Sequence, residues 1–187
     1  MKRELRLLLK NKIFPIYFFT TIAIASVIVA GYFNDVKLEI FMSEYKFIRN
    51  CAYLLPVVIG IFASIFIGEE YEQGTINSRL LLESKLSFEK NKIIICLFFG
   101  LVVCVFLLVG YGIISGGYDK RIVILLALLW IRCIATSIIV LFISKKTEGY
   151  IFGLGFVLFL FFLNTTHILK YSPGNLYMDL VENLLNR

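Results

Sequence analysis

Five long apolar runs, separated by shorter polar stretches, set the organisation of this 187-residue chain. They cover Ile13–Phe33, Cys51–Ile67, Ile93–Gly116, Ile122–Ser144 and Tyr150–Ile168. A helix rises 1.5 Å per residue, so about 20 apolar residues cross the roughly 30 Å hydrocarbon core of a bilayer. The second run is short and carries Pro56, and its start is soft on the Asn50–Cys51 side. The pattern predicts an all-α, polytopic membrane protein with about five transmembrane helices. The whole chain, 1–187, forms a single transmembrane domain.

The segments between and around the runs are amphipathic. In Met1–Lys12, Leu5, Leu8 and Leu9 share one helical face, with Ile13 a turn on, and Arg3, Arg6 and Lys10 share another. That is the pattern of an interfacial helix, apolar face in the acyl boundary and cations near anionic headgroups. Asn34–Asn50 places Leu38, Phe41, Met42, Tyr45 and Ile48 at helical spacing. After Pro173-Gly174, Leu176, Leu180, Val181 and Leu184 fall on one face. The last two segments, including an amphipathic tail over 169–187, are expected to lie on the outer membrane surface or to cap the bundle.

Composition agrees with lipid as the solvent. The chain is 59% hydrophobic and 17% charged, with a mean hydropathy of +0.86, where a soluble domain is about 45–50% apolar. The net charge of +6 is carried by Lys and Arg beside the apolar runs, which suits membrane flanks rather than nucleic acid. Cys51, Cys96, Cys104 and Cys133 lie in or at the edges of the runs without a Cys-x-x-Cys pair. They read as small apolar packing residues, not as a zinc or redox site. The first run resembles a secretory signal but exceeds the roughly 7–15 residues of a signal core, so it is expected to be retained as a span.

Orientation follows the cations in short loops. With the N-terminus inside, eleven Lys and Arg fall on the cytoplasmic side and seven on the outer side. Five of the eleven, Lys2, Arg3, Arg6, Lys10 and Lys12, precede the first span, which usually dominates orientation. Five spans then place the C-terminus outside.

The most informative polar segment, over 69–92, follows the second run. It reads Gly68-Glu69-Glu70-Tyr71-Glu72-Gln73-Gly74-Thr75-Ile76-Asn77-Ser78-Arg79-Leu80-Leu81-Leu82, and Glu83–Lys92 leads into the third run. Glycine there permits a sharp exit from the span, and Thr75 is a good N-cap for a following helix. This Glu-rich stretch ending in Gly-Thr resembles the first cytoplasmic loop of ABC-2 type transporter permeases. The basic amphipathic start, the second span running straight into the loop and the short outer turn Gly117–Arg121 extend the resemblance over most of the chain. It implies a permease subunit of an ATP-driven exporter in the cell membrane, with no catalysis and no cofactor of its own. The implied partners are a separate ATP-binding subunit, a second permease subunit and the lipid bilayer, without nucleic acid. The segment becomes a coupling loop, with Glu69, Glu70, Gly74 and Thr75 contacting the ATPase. The substrate class stays open among a peptide, an antibiotic and a lipid-like molecule.

Two features depart from the family pattern. Glu83–Ser87 has no Pro or Gly at the usual break, and the chain ends where a sixth span would begin, as in a short variant, a truncated product or a protein whose tail folds differently. Other readings exist for the same residues. The carboxylates can be a solvated turn at a span end, and the chain can be a non-transporting membrane immunity or accessory protein. An intramembrane CAAX-type protease would need an Arg four residues after the second Glu, where Gly74 stands, and more histidines than His167. No Gly-x-x-x-x-Gly-Lys-Ser/Thr occurs, so ATP is not bound through a P-loop.

Within the membrane, Arg132 lies ten residues into the fourth run, about 15 Å deep. A guanidinium there costs several kcal/mol unless paired or hydrated. It is expected to face the bundle, a subunit interface or the translocation path, with carbonyls, Thr136, lipid phosphate or another subunit as partners. His167, at the end of the fifth run, reads as an ordinary interfacial polar residue. Gly112 and Gly116, like Gly149 and Gly153, are four apart and permit close helix approach, within the chain or between subunits.

Overall fold

A computed structural model describes residues 13–38, 42–72, 85–166 and 172–185. They form six helices: α1 Ile13–Lys37, α2 Ser43–Glu72, α3 Lys85–Ser115, α4 Lys120–Lys146, α5 Ile151–Thr166 and α6 Pro173–Leu185. No strand occurs among the described residues. Four segments are long and apolar enough to span a membrane: Pro15–Lys37, Ser43–Phe66, Lys90–Ser115 and Lys120–Lys146. The chain is thus an all-α polytopic protein. The 16 residues of α5 rise about 24 Å, less than the roughly 30 Å hydrocarbon core. The interfacial helix expected over Met1–Lys12 lies outside the described residues.

Several hydroxyls in these apolar helices are satisfied within their own helix, as suits a medium without water. Thr20, Thr21 and Ser26 donate to the carbonyls of Ile16, Tyr17 and Ile22 at 2.7–2.8 Å. Thr136 and Ser137 do the same to Arg132 and Cys133. The helix ends are set locally. Gly116, at φ +72°, ends α3 in the left-handed region that glycine tolerates. The Asp119 side chain accepts from the Arg121 N–H at 2.8 Å and caps α4. Lys145 and Lys146 occupy the last turn of α4, where cations complement the helix dipole.

Helix α2 is the axis of the bundle and packs against each of the other five helices. Its Phe47, Ile48, Cys51, Ala52, Leu55, Ile59, Phe62 and Ala63 are buried at helical spacing. Of the α2 span 56% is buried, against 22% of α1, which packs mainly on α2 and α3 among the described residues.

Two elements differ from the expected boundaries. Helix α2 begins at Ser43, and Asn34–Lys37 completes α1, so Asn34–Asn50 is no separate surface helix. Phe47 and Ile48 enter the core while Lys46, Arg49 and Asn50 stay exposed on the opposite face. The tail helix α6 starts with Ser172 as its cap, whose Oγ accepts from the Asn175 N–H at 3.2 Å, and with proline at the first helical position. It seats Tyr177, Met178 and Val181 in the bundle and leaves Leu176 and Leu180 half exposed. The face turned inward is the one holding Tyr177, because its hydroxyl reaches the Leu125 carbonyl at 2.8 Å.

Candidate functional site

Two places bear on function: the end of the bundle from which the polar loop leaves, and the middle of the α2–α4–α5 seam. At the loop end, α2 continues through Gly68 to Glu72. The helix runs through Gly68, since one glycine costs a helix only about 1 kcal/mol, and the exit expected at the glycine of Gly-Thr, Gly74, lies outside the described residues. Glu69 and Glu70 lie in the last turns of α2, while their side chains, and Gly74 and Thr75 entirely, lie outside the described residues.

What anchors this end is well defined. Lys92, 1% exposed, extends from α3 to α2, where its ammonium donates to the Phe66 carbonyl at 3.3 Å. The same ammonium sits 3.6 Å from the centroid of the Phe66 ring, a cation–π contact. Phe66 stacks on Phe62 at 5.4 Å, and Phe62 meets Phe99 of α3 at 4.5 Å. On the other flank, Ser64 of α2 donates to the Tyr150 carbonyl at 2.8 Å and lies 3.2 Å from the Ser144 hydroxyl. Gly153 of α5 packs on both of these hydroxyls, so close that a side chain there would meet Ser64 and Ser144. The α2 end is therefore held to α3 by a buried cation and to α4 and α5 by a knot of two serines and a glycine. Neither anchor carried a signal in the sequence beyond Lys92 as a flanking cation and Gly153 as a small residue.

The opposite end is tied by Tyr111 of α3, which donates to Glu44 of α2 at 2.8 Å. Tyr32, Phe47 and Tyr111 stack there, with centroids 5.0–5.8 Å apart. Gly112 packs under the Tyr118 ring. Gly112 and Gly153 thus serve close packing inside the chain.

At the middle of the seam, Arg132 donates from Nη1 to the Ala52 carbonyl at 3.2 Å. That carbonyl is available because Pro56 stands four residues on in α2 and has no N–H to return to it. Proline thus opens an acceptor in the helix wall, and the guanidinium of the neighbouring helix takes it. The Tyr177 ring, with its centroid 5.8 Å from the guanidinium carbon, covers the same group. Of the partners expected for Arg132, the structure selects a carbonyl; Thr136 is occupied with its own helix. Beside Arg132, between α2, α4 and α5, a cavity of about 260 Å³ is lined by Pro56, Val57, Thr136, Phe156 and Phe161 among others. The four cysteines are buried free thiols.

A bundle of long apolar helices around one central helix is that of a membrane protein, and the family comparison says which family it belongs to. The family model of the ABC-2 family transporter protein matches residues 1–164. The chain belongs to the ABC-2 transporter family. This ABC-2 permease is a multi-pass membrane protein, and the matched region takes in α1 to α4 and nearly all of α5. The tail helix α6 lies beyond it. Comparison with curated proteins and with solved structures finds no match.

Proposed function

We propose that this ABC-2 permease is the membrane subunit of an ATP-driven exporter in the cell membrane, with its N-terminus and the 69–92 segment in the cytoplasm. The motor is a separate ATP-binding subunit, and ATP is hydrolysed there. Glu69, Glu70, Gly74 and Thr75 form the contact with it. A second permease subunit, identical or related, completes the path, since one copy of five apolar helices is too small to enclose a large one. The substrate is a peptide, an antibiotic or a lipid-like molecule.

The observation that carries this reading is the doubly anchored end of α2. A push on the loop after Glu72 acts on a helix that Lys92 ties to α3 and Ser64 ties to α4 and α5. Because α2 also packs on every other helix, displacement at the loop is passed to the whole bundle. A solvated turn would need no such anchoring.

Affinity purification in mild detergent tests the proposal. An ATP-binding subunit is expected to co-purify, and Glu70→Lys is expected to reduce its recovery at least tenfold with membrane insertion unchanged. Glu72→Lys serves as comparison and is expected to have little effect. Recovery of a lone monomer would favour a non-transporting immunity or accessory protein, and undiminished recovery with Glu70→Lys would return the carboxylates to a solvated turn.

A further inference from the structure

We propose that the crevice beside Arg132 binds a single-chain anionic amphiphile, an aliphatic chain with a carboxylate head, entering sideways from the membrane. The proposal rests on the permease reading only where it takes this ligand for a cargo.

The chemistry of the lining points to the ligand. Arg132 is the one charged side chain among the lining residues. Its partners among the described residues are the Ala52 carbonyl and the Tyr177 ring, both electrically neutral. A guanidinium carries five N–H donors in a planar fork suited to a carboxylate, and the Ala52 carbonyl occupies one arm. A cation held in an apolar seam without a counter-charge is costly. An anionic head that brings its own charge offsets that cost, and a neutral or cationic head does not. The anchor to Ala52 fixes the guanidinium beside the crevice, so a head that reaches it would meet an oriented donor.

The shape of the site selects the rest of the molecule. The walls are Pro56, Val57, Phe156 and Phe161, which suit an aliphatic chain. A volume of about 260 Å³ falls just below the roughly 300–1,000 Å³ of small-molecule sites. It holds about nine groups of water size at roughly 30 Å³ each, enough for the head and first carbons of one chain whose end stays in the hydrocarbon phase, and too little for a two-chain phospholipid. Of the lining residues, Ala135 and Ile139 of α4 are exposed, Ile139 at 45%, so the crevice opens beside them, and Ile131, Ile138 and Phe142 of the same helix are exposed too. A ligand that crosses such a rim comes from the hydrocarbon phase, not from water.

The test uses the full chain in nanodiscs of zwitterionic phosphatidylcholine, without the motor, so that its outcome is separate from that of the coupling proposal. The probes are radiolabelled dodecanoate, at a pH where it is ionised, and its methyl ester. Dodecanoate is expected to be retained at least tenfold better than the ester. Arg132→Gln is expected to bring the acid down to the level of the ester, and Ile139→Trp, which fills the mouth and leaves the charge, to lower retention at least tenfold. Equal retention of acid and ester by the unaltered protein overturns the proposal with no variant needed. Unchanged retention in folded Ile139→Trp also overturns it, because the ligand then sits elsewhere. Displacement of dodecanoate by phosphatidylglycerol as readily as by unlabelled dodecanoate would assign the crevice to a membrane phospholipid instead. Cross-linking of Ala135→Cys, also on the lining, to its own copy would assign it to a subunit interface.

Discussion

Replacing Gly153 with alanine tests whether the serine–glycine knot holds the loop end of α2. The added methyl would meet the Ser64 and Ser144 hydroxyls and come within 3.1 Å of the Ser64 Cβ. Either α5 moves away, or Ser64 turns and gives up its bond to the Tyr150 carbonyl, now 2.8 Å long. Overpacking of this kind costs about 1–3 kcal/mol, and a buried hydroxyl left unsatisfied costs roughly 1–3 kcal/mol more. Alanine recovers up to about 1 kcal/mol of helix propensity over glycine. With one cost or both incurred, the net expectation is a destabilisation of about 1–5 kcal/mol. Membrane proteins commonly unfold irreversibly, so the quantity to read is the half-life of folded protein in mild detergent at fixed temperature. Gly155→Ala is the control. It sits two residues on in the same helix, and a Cβ there meets nothing within 4 Å, so it is expected to match or exceed the unaltered half-life. A Gly153→Ala protein as long-lived as Gly155→Ala would show that α5 does not pack on α2 through this knot.

Tyr111→Phe removes the hydroxyl that donates to the Glu44 carboxylate at 2.8 Å; a loss of about 1.5–3 kcal/mol is expected in the same half-life assay, with Glu44→Gln milder because its amide oxygen still accepts. Tyr177→Phe removes only the bond to the Leu125 carbonyl and is expected to cost about 1 kcal/mol, whereas Tyr177→Ala also empties a buried aromatic site and is expected to cost about 3–5 kcal/mol; equal effects would mean that α6 is not seated as described. Single cysteines after Lys146 and after Asn186 are expected to label from the cytoplasm and from outside respectively, and labelling of both from the cytoplasm would contradict an outer tail.

Much of this fold was legible in the sequence because lipid imposes simple demands on run length and on cations. The start of α2 was less so. Asn34–Asn50 reads as one amphipathic segment apart from the spans, yet Lys46, Arg49 and Asn50 line one exposed face of α2, whose other face buries Phe47, Ile48 and Cys51. The tail gave its helical period correctly, but leucine spacing alone favoured Leu176 and Leu180. A buried hydroxyl needing a partner turned Tyr177 inward instead. The depth of Arg132 could be counted from the run, while its partner depended on which carbonyl a proline in another helix leaves open. That relation, Ala52 four residues before Pro56, is visible in the sequence only once the two helices are known to be neighbours. Lys92 shows the reverse limit. As a residue beside an apolar run it reads as a flanking cation, and only the packing of α3 on α2 makes it a buried tie to Phe66. The acidic Gly-Thr segment was recognisable from its resemblance to the family, and the anchoring of α2 supplies a physical route for what such a loop would transmit.

The central claim is that the motor presses on the loop that follows α2. It is tested most directly by placing a photo-reactive benzophenone amino acid at Thr75 and, separately, at Gly117 in the turn at the opposite end of the bundle, and by irradiating cells that express the permease with its ATP-binding subunit. The account predicts a covalent adduct with the ATP-binding subunit from Thr75 and none from Gly117. An adduct from Gly117 with none from Thr75 would contradict it.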